Sequence, residues 1–171
     1  MKSRIIVAAI VVFAVLGCSK VSEKELFEKA VEAKKGGQFD EALEQYQLFL
    51  TEYPKSPKVP EALYAMGSIY QSNRHEFNKA IEAYKRIVRD YPDHATTSSA
   101  SFLVGFIYNN ELKNVDSARM AYRDFLAKYP NSPMASSAKF ELDNLGKDPE
   151  EFIRPKIQAE KSKNPKKTKG R

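Results

Sequence analysis

Apolar side chains recur at spacings of three and four along most of this chain, which marks one buried face on each of a series of helices. Leu26, Ala30 and Ala33 form the first stripe, ending at Gly37 and Phe39. Ala42, Tyr46 and Phe49 form the second. Leu63, Met66, Gly67 and Tyr70 follow, then Ala80, Tyr84 and Ile87. Val104, Gly105 and Tyr108 repeat the earlier stripe, with polar Ser101 where Leu63 stood, and Ala118, Tyr122 and Phe125 complete the series. The pattern predicts helix, short turn, helix, three times over. The first turn, Lys35-Gly36-Gly37-Gln38, places glycine where a helix ends and the backbone needs positive φ.

The series has a fixed period. Tyr53-Pro54, Tyr91-Pro92 and Tyr129-Pro130 are each 38 residues apart. Phe39-Asp40-Glu41-Ala42 superposes on Phe77-Asn78-Lys79-Ala80 and on Val115-Asp116-Ser117-Ala118 without a gap. Each proline stops a helix, because it lacks the N–H and biases the preceding residue away from the α region. A fourth first-helix is predicted at Ala135 to Leu145, carrying Phe140, Leu142 and Leu145. No second helix of standard type completes it, as expected of an atypical terminal cap. Asp148-Pro149-Glu150-Glu151 reads as a fresh helix start, with Asp as N-cap and Pro in the first turn.

These residues resemble tetratricopeptide repeats. The family pattern of large residue, Leu-Gly, Tyr, Ala, aromatic and Pro maps onto Leu63, Met66-Gly67, Tyr70, Ala80, Tyr84, Ile87 and Pro92. Two departures lengthen the usual unit: one extra residue in the turn of the second and third hairpins, and a longer linker. That linker, as in Tyr53-Pro54-Lys55-Ser56-Pro57, resembles a subgroup of envelope lipoproteins that includes BamD-like and CpoB-like proteins. The resemblance implies an all-α, right-handed solenoid of three 38-residue hairpins plus a C-terminal capping helix.

The ends of the chain are different in kind. Lys2 and Arg4 precede an uncharged run from Ile5 to Leu16, too short to span a bilayer core of about 30 Å but fitting a signal peptide. Val15-Leu16-Gly17-Cys18 resembles a bacterial lipobox, which implies cleavage before Cys18 and its acylation. A plain signal peptide with a stray thiol, or an uncleaved anchor, is the other reading. Cys18 is the only cysteine, so the chain forms no internal disulfide. The boundaries that follow are 1–17 signal peptide, 18–23 lipidated linker, 24–147 repeat domain with cap, 148–160 helix or extension, and 161–171 disordered tail.

Charge is divided as sharply. The chain carries +6 overall, yet residues 154–171 hold 8 Lys and Arg against one Glu. Such a block is an interaction tail or a solvated terminus. It either meets anionic lipid, meets an acidic partner or stays solvated. Nucleic acid is not expected for a secreted chain.

Catalysis is not expected, and no cofactor or metal. His75 and His94 fall on separate loops with no ligating partner, and no phosphate-binding or nucleophile motif occurs. Carboxylates sit beside cations on helix faces, as in Glu82 and Arg86. A binding surface is the better candidate. In the repeat family the first helix of each hairpin lines the concave side. The groove positions then map to Phe27, Tyr64, Phe102 and Phe140, one ring per copy, with Ser68, Gln71, Phe106 and Asn109 beside them. Such a row suits an extended or helical peptide. The alternative is that the rings pack between hairpins. The expected function is a lipid-anchored scaffold for protein contacts in the bacterial envelope, with outer-membrane protein assembly its sharpest form. Ser19 after Cys18 matches the outer-membrane sorting rule of enterobacterial lipoproteins, which points to the periplasmic face of that membrane. The rival is a lipoprotein that binds peptidoglycan or another cell-wall ligand.

Overall fold

The computed structural model describes residues 21–147. Cys18, the extension at 148–160 and the basic tail at 161–171 lie outside the described residues. Seven helices, and no strand among the described residues, run as α1 Glu23–Lys35, α2 Phe39–Glu52, α3 Val59–Ile69, α4 Phe77–Asp90, α5 Thr97–Phe106, α6 Val115–Lys128 and α7 Ala135–Asn144. Each packs against the next in the chain, so α1–α2, α3–α4 and α5–α6 are hairpins and α7 closes the row. The fold is a tetratricopeptide-like helical solenoid.

Local chemistry sets each boundary. Ser22 caps α1 by accepting from the Glu25 N–H at 3.2 Å, with Glu23 and Glu25 in the first turn and Lys34 and Lys35 in the last, as the helix dipole prefers. The turn after α1 passes through Gly37 at φ +74°, the conformation its glycines were expected to supply. The same register holds His75 at φ 54° in the second hairpin and Lys113 at φ 53° in the third. Neither is glycine, so each carries the steric cost of the left-handed region. The extra residue in those turns is taken up by π-type turns, Tyr70–Arg74 after α3 and Ile107–Glu111 after α5. The loop then closes from Glu76 N–H to the Tyr70 carbonyl, and from Asn114 N–H to the Tyr108 carbonyl, both at 2.8 Å.

The linkers are three copies of one device. Ser56, His94 and Ser132 each donate their N–H to the preceding tyrosine carbonyl, Tyr53, Tyr91 or Tyr129, at 3.0–3.1 Å. Each side chain then accepts the N–H two residues on: Ser56 from Lys58, His94 through Nδ1 from Thr96, Ser132 from Met134. His94 thus performs a serine's work in a turn.

The core follows from the predicted stripes. Ala42, Ala80 and Ala118 are fully buried, and so are Phe49, Ile87 and Phe125. Gly67 and Gly105 let a tyrosine of the facing helix approach: a Cβ on Gly67 would stand 2.6 Å from the Tyr84 ring, and one on Gly105 2.7 Å from the Tyr122 ring. The first hairpin carries Ala30, fully buried, at the equivalent position. α7 covers the last hairpin through Ala138 and Leu145. One surface detail differs from the sequence reading. Arg86 pairs forward with Asp90 at 3.8 Å rather than back with Glu82.

Candidate functional site

The row of rings on the first helices is built on the second helices. Phe27 meets Tyr46 and Phe49 at centroid distances of 6.0 and 5.2 Å. Tyr64 meets Tyr84 at 5.5 Å. Phe102 meets Tyr122 and Phe125 at 5.7 and 5.8 Å. All three are half-buried within their own hairpin and keep an exposed edge. Each meets rings of its own second helix. Phe140, at the matching position of α7, is 48 % exposed.

The polar neighbours divide in two. Gln71 and Asn109 are committed: Gln71 Oε1 accepts from the Tyr84 hydroxyl at 3.4 Å, and Asn109 Nδ2 donates to Glu141 of α7 at 3.0 Å. Ser68 is half-buried beside Tyr64. Phe106 flanks Phe102 at 6.5 Å. Lys58 holds its ammonium 4.7 Å over the Phe27 ring, a cation–π contact that covers that end of the row.

Beneath the row, three tyrosines set the electrostatics. Burial pushes the Tyr46 phenol up to about 12. It raises Tyr84 and Tyr122 as well, with the neighbouring Tyr64 and Glu141 adding to the respective shifts. These hydroxyls therefore stay neutral at ordinary pH. The Tyr122 hydroxyl is buried without a hydrogen-bond partner. The cause is one methylene. Asn109 stands where Gln71 stands one repeat earlier, is shorter, and turns to Glu141 instead.

This surface has the makings of a docking face: flat ring edges over a rigid core, with a hydroxyl and amides beside them. Among the described residues no group of three His, Cys, Asp or Glu side chains is placed to hold a metal ion. No helix among them is long and apolar enough to cross a membrane. Sequence reasoning missed the opposite face, where Ser101 and Met120 line a groove between α4 and α6. The available signal was the pair of departures from the repeat: Ser101 for Leu63 and Met120 for Glu82.

No curated protein matches the chain. A family model described as outer membrane lipoprotein, YfiO, matches residues 19–148. That span starts just after Cys18 and takes in all seven helices. The chain therefore belongs to the YfiO family of outer-membrane lipoproteins, whose members are lipid-anchored envelope proteins of tetratricopeptide type that serve protein contacts.

Proposed function

We propose that this lipoprotein holds a protein segment across the first-helix face of its solenoid, within an assembly that matures outer-membrane proteins. The observation that carries the reading is the recurrence of one half-exposed ring, Phe27, Tyr64 and Phe102, at the same position of successive hairpins. A regular row of rigid aromatic edges gives large contact area at low entropic cost, as recognition of a helical or extended peptide needs. In this reading Ser68 and Phe106 border the row, Gln71 and Asn109 stand at its edge held by the Tyr84 hydroxyl and Glu141, and Phe140 continues it onto the cap. Catalysis, cofactor and metal play no part. The chain is cleaved after residue 17, acylated on Cys18 and tethered through 18–23. The basic tail at 161–171 meets anionic head groups or an acidic partner.

Two experiments test this. Cys18→Ser should move the protein from the membrane to the soluble fraction. Membrane retention at high salt after that change would remove the anchor assignment. Ser68→Arg plants a long cation in the row without opening a cavity. It should abolish co-purification of envelope protein from detergent extracts while the thermal midpoint holds. Unchanged co-purification, or pelleting with purified peptidoglycan that Ser68→Arg abolishes, would replace the scaffold with a cell-wall binder.

A further inference from the structure

The opposite face of the third hairpin carries a groove of about 400 Å³, with α5 as its floor and α4 and α6 as its walls. The equivalent groove one repeat earlier, over α3, holds about 220 Å³. The difference traces to three positions. Leu50, Leu63 and Met66 line the first; Val88, Ser101 and Val104, each smaller, line the second. The lip changes as well. Glu82 of the first groove becomes Met120, whose side chain is 64 % exposed. The same backbone thus fills its groove with leucine and methionine at one junction and opens it, with an apolar lip, at the next. The first junction proves that larger side chains fit this register, so geometry does not force the opening. Open apolar space costs stability, and an exposed methionine adds to apolar surface facing water.

The rim is mainly cationic. Lys85, Arg89 and Lys128 border the groove against a single Asp124. Lys85 lies over the Tyr108 ring at 5.4 Å and donates to its hydroxyl at 3.2 Å, so it is held in place without a carboxylate. Arg89 is paired with Asp90 at 2.7 Å. Lys128 has no ion pair among the described residues. A neighbouring hollow on α4 holds Arg86, which is paired with Asp90, beside Glu82. The Ser101 hydroxyl makes no hydrogen bond within the described residues and lines the floor.

We propose that this groove is a second docking site, which takes an acidic amphipathic segment of a protein partner. Aliphatic side chains of that segment fill the space over Ser101 and Val104, against Met120. Its carboxylates meet Lys85 and Lys128, which have no carboxylate of their own. A recessed apolar floor between two helix walls fits inserted side chains, where a lipid surface would call for an outward apolar face. The site lies on the other side of α5 from Phe102 and Phe106, so it stands or falls independently of the first-helix row.

The test uses the lipidated chain in neutral phosphatidylcholine nanodiscs. The probe is a fluorescent helical peptide of about 15 residues, with leucines on one face and glutamates on the other. A second peptide keeps the leucines and carries lysines. The acidic peptide should bind, and the basic one should not. Ser101→Leu restores the residue of the first junction and should weaken binding by about tenfold, the equivalent of 1.4 kcal/mol, with the unfolding midpoint unchanged or raised. Met120→Glu, at an exposed position, should do the same. Equal binding of both peptides, or full binding by Ser101→Leu, overturns the proposal. Tighter binding after removal of residues 148–171 would give the groove to the chain's own terminus. A dimer dispersed by Ser101→Leu would give it to a second copy. Capture by phosphatidylglycerol nanodiscs that depends on Lys85 and Lys128 but not on Ser101 would give it to lipid. Each of these three also overturns it.

Discussion

The second and third hairpins are the same object in backbone and differ in what they do with their surfaces. Both set a glycine, Gly67 or Gly105, under a buried tyrosine ring, Tyr84 or Tyr122. Both bury an alanine at the helix crossing, turn through a π-type loop with a left-handed residue, and end at a tyrosine of matching dihedrals. Away from these positions they diverge. The Tyr84 hydroxyl finds Gln71, and the Tyr122 hydroxyl finds no one. Leu63 fills its groove, and Ser101 leaves its own open. The repeat preserves what builds the hairpin and frees what lines the faces.

The strongest way to break this comparison is to remove the shared core. Tyr84→Ala and Tyr122→Ala should each cost about 3–5 kcal/mol, as large buried truncations do. Denaturant unfolding should give similar losses for both. A loss confined to one hairpin would mean that the two are not built alike.

A smaller effect is expected from the glycines. Gly67→Ala gains about 1 kcal/mol of helix propensity but forces a methyl into the Tyr84 ring, an overpacking worth about 1–3 kcal/mol. A net loss on the order of 1 kcal/mol should remain, and Gly105→Ala should match it. Ala30→Gly, the reverse change in the first hairpin, should also destabilise. A stabilised Gly67→Ala, measured by thermal midpoint, would show that the ring yields freely.

The smallest change should have opposite signs in the two hairpins. Tyr84→Phe loses a long hydrogen bond to Gln71 and should cost about 0.5–1 kcal/mol. Tyr122→Phe removes a buried hydroxyl with no partner and should be neutral or stabilising by about 1 kcal/mol. Losses of equal size would show that both hydroxyls are equally well satisfied.

The positions shared by all hairpins were those legible in the sequence. The period, the alanine and tyrosine stripes, the turn at Gly37 and the helix stop before each Tyr-Pro pair are dictated by backbone and packing demands that repeat with the chain. The π-type turns were not legible, because one extra residue can be absorbed in several ways and nothing in His75 or Lys113 advertises positive φ. What supports the recurring rings was not legible. Periodicity puts Phe102 beside the helix stripe without saying that Tyr122 and Phe125 lie under it. The groove at Ser101 was visible only as an irregularity, since a lone serine in an apolar stripe acquires meaning once the neighbouring helices show which space it leaves open.

The central claim is that the first-helix face is where a protein partner lies. The most direct measurement is site-specific photocrosslinking in intact cells, with the reactive residue at Ser68, at Phe106 and, as a control, at Arg123, an exposed position on α6. Adducts of one common mass from positions 68 and 106, absent from 123, are the predicted result. Full-length, membrane-bound protein that gives no adduct from 68 or 106, or the same adduct from all three positions, would contradict it.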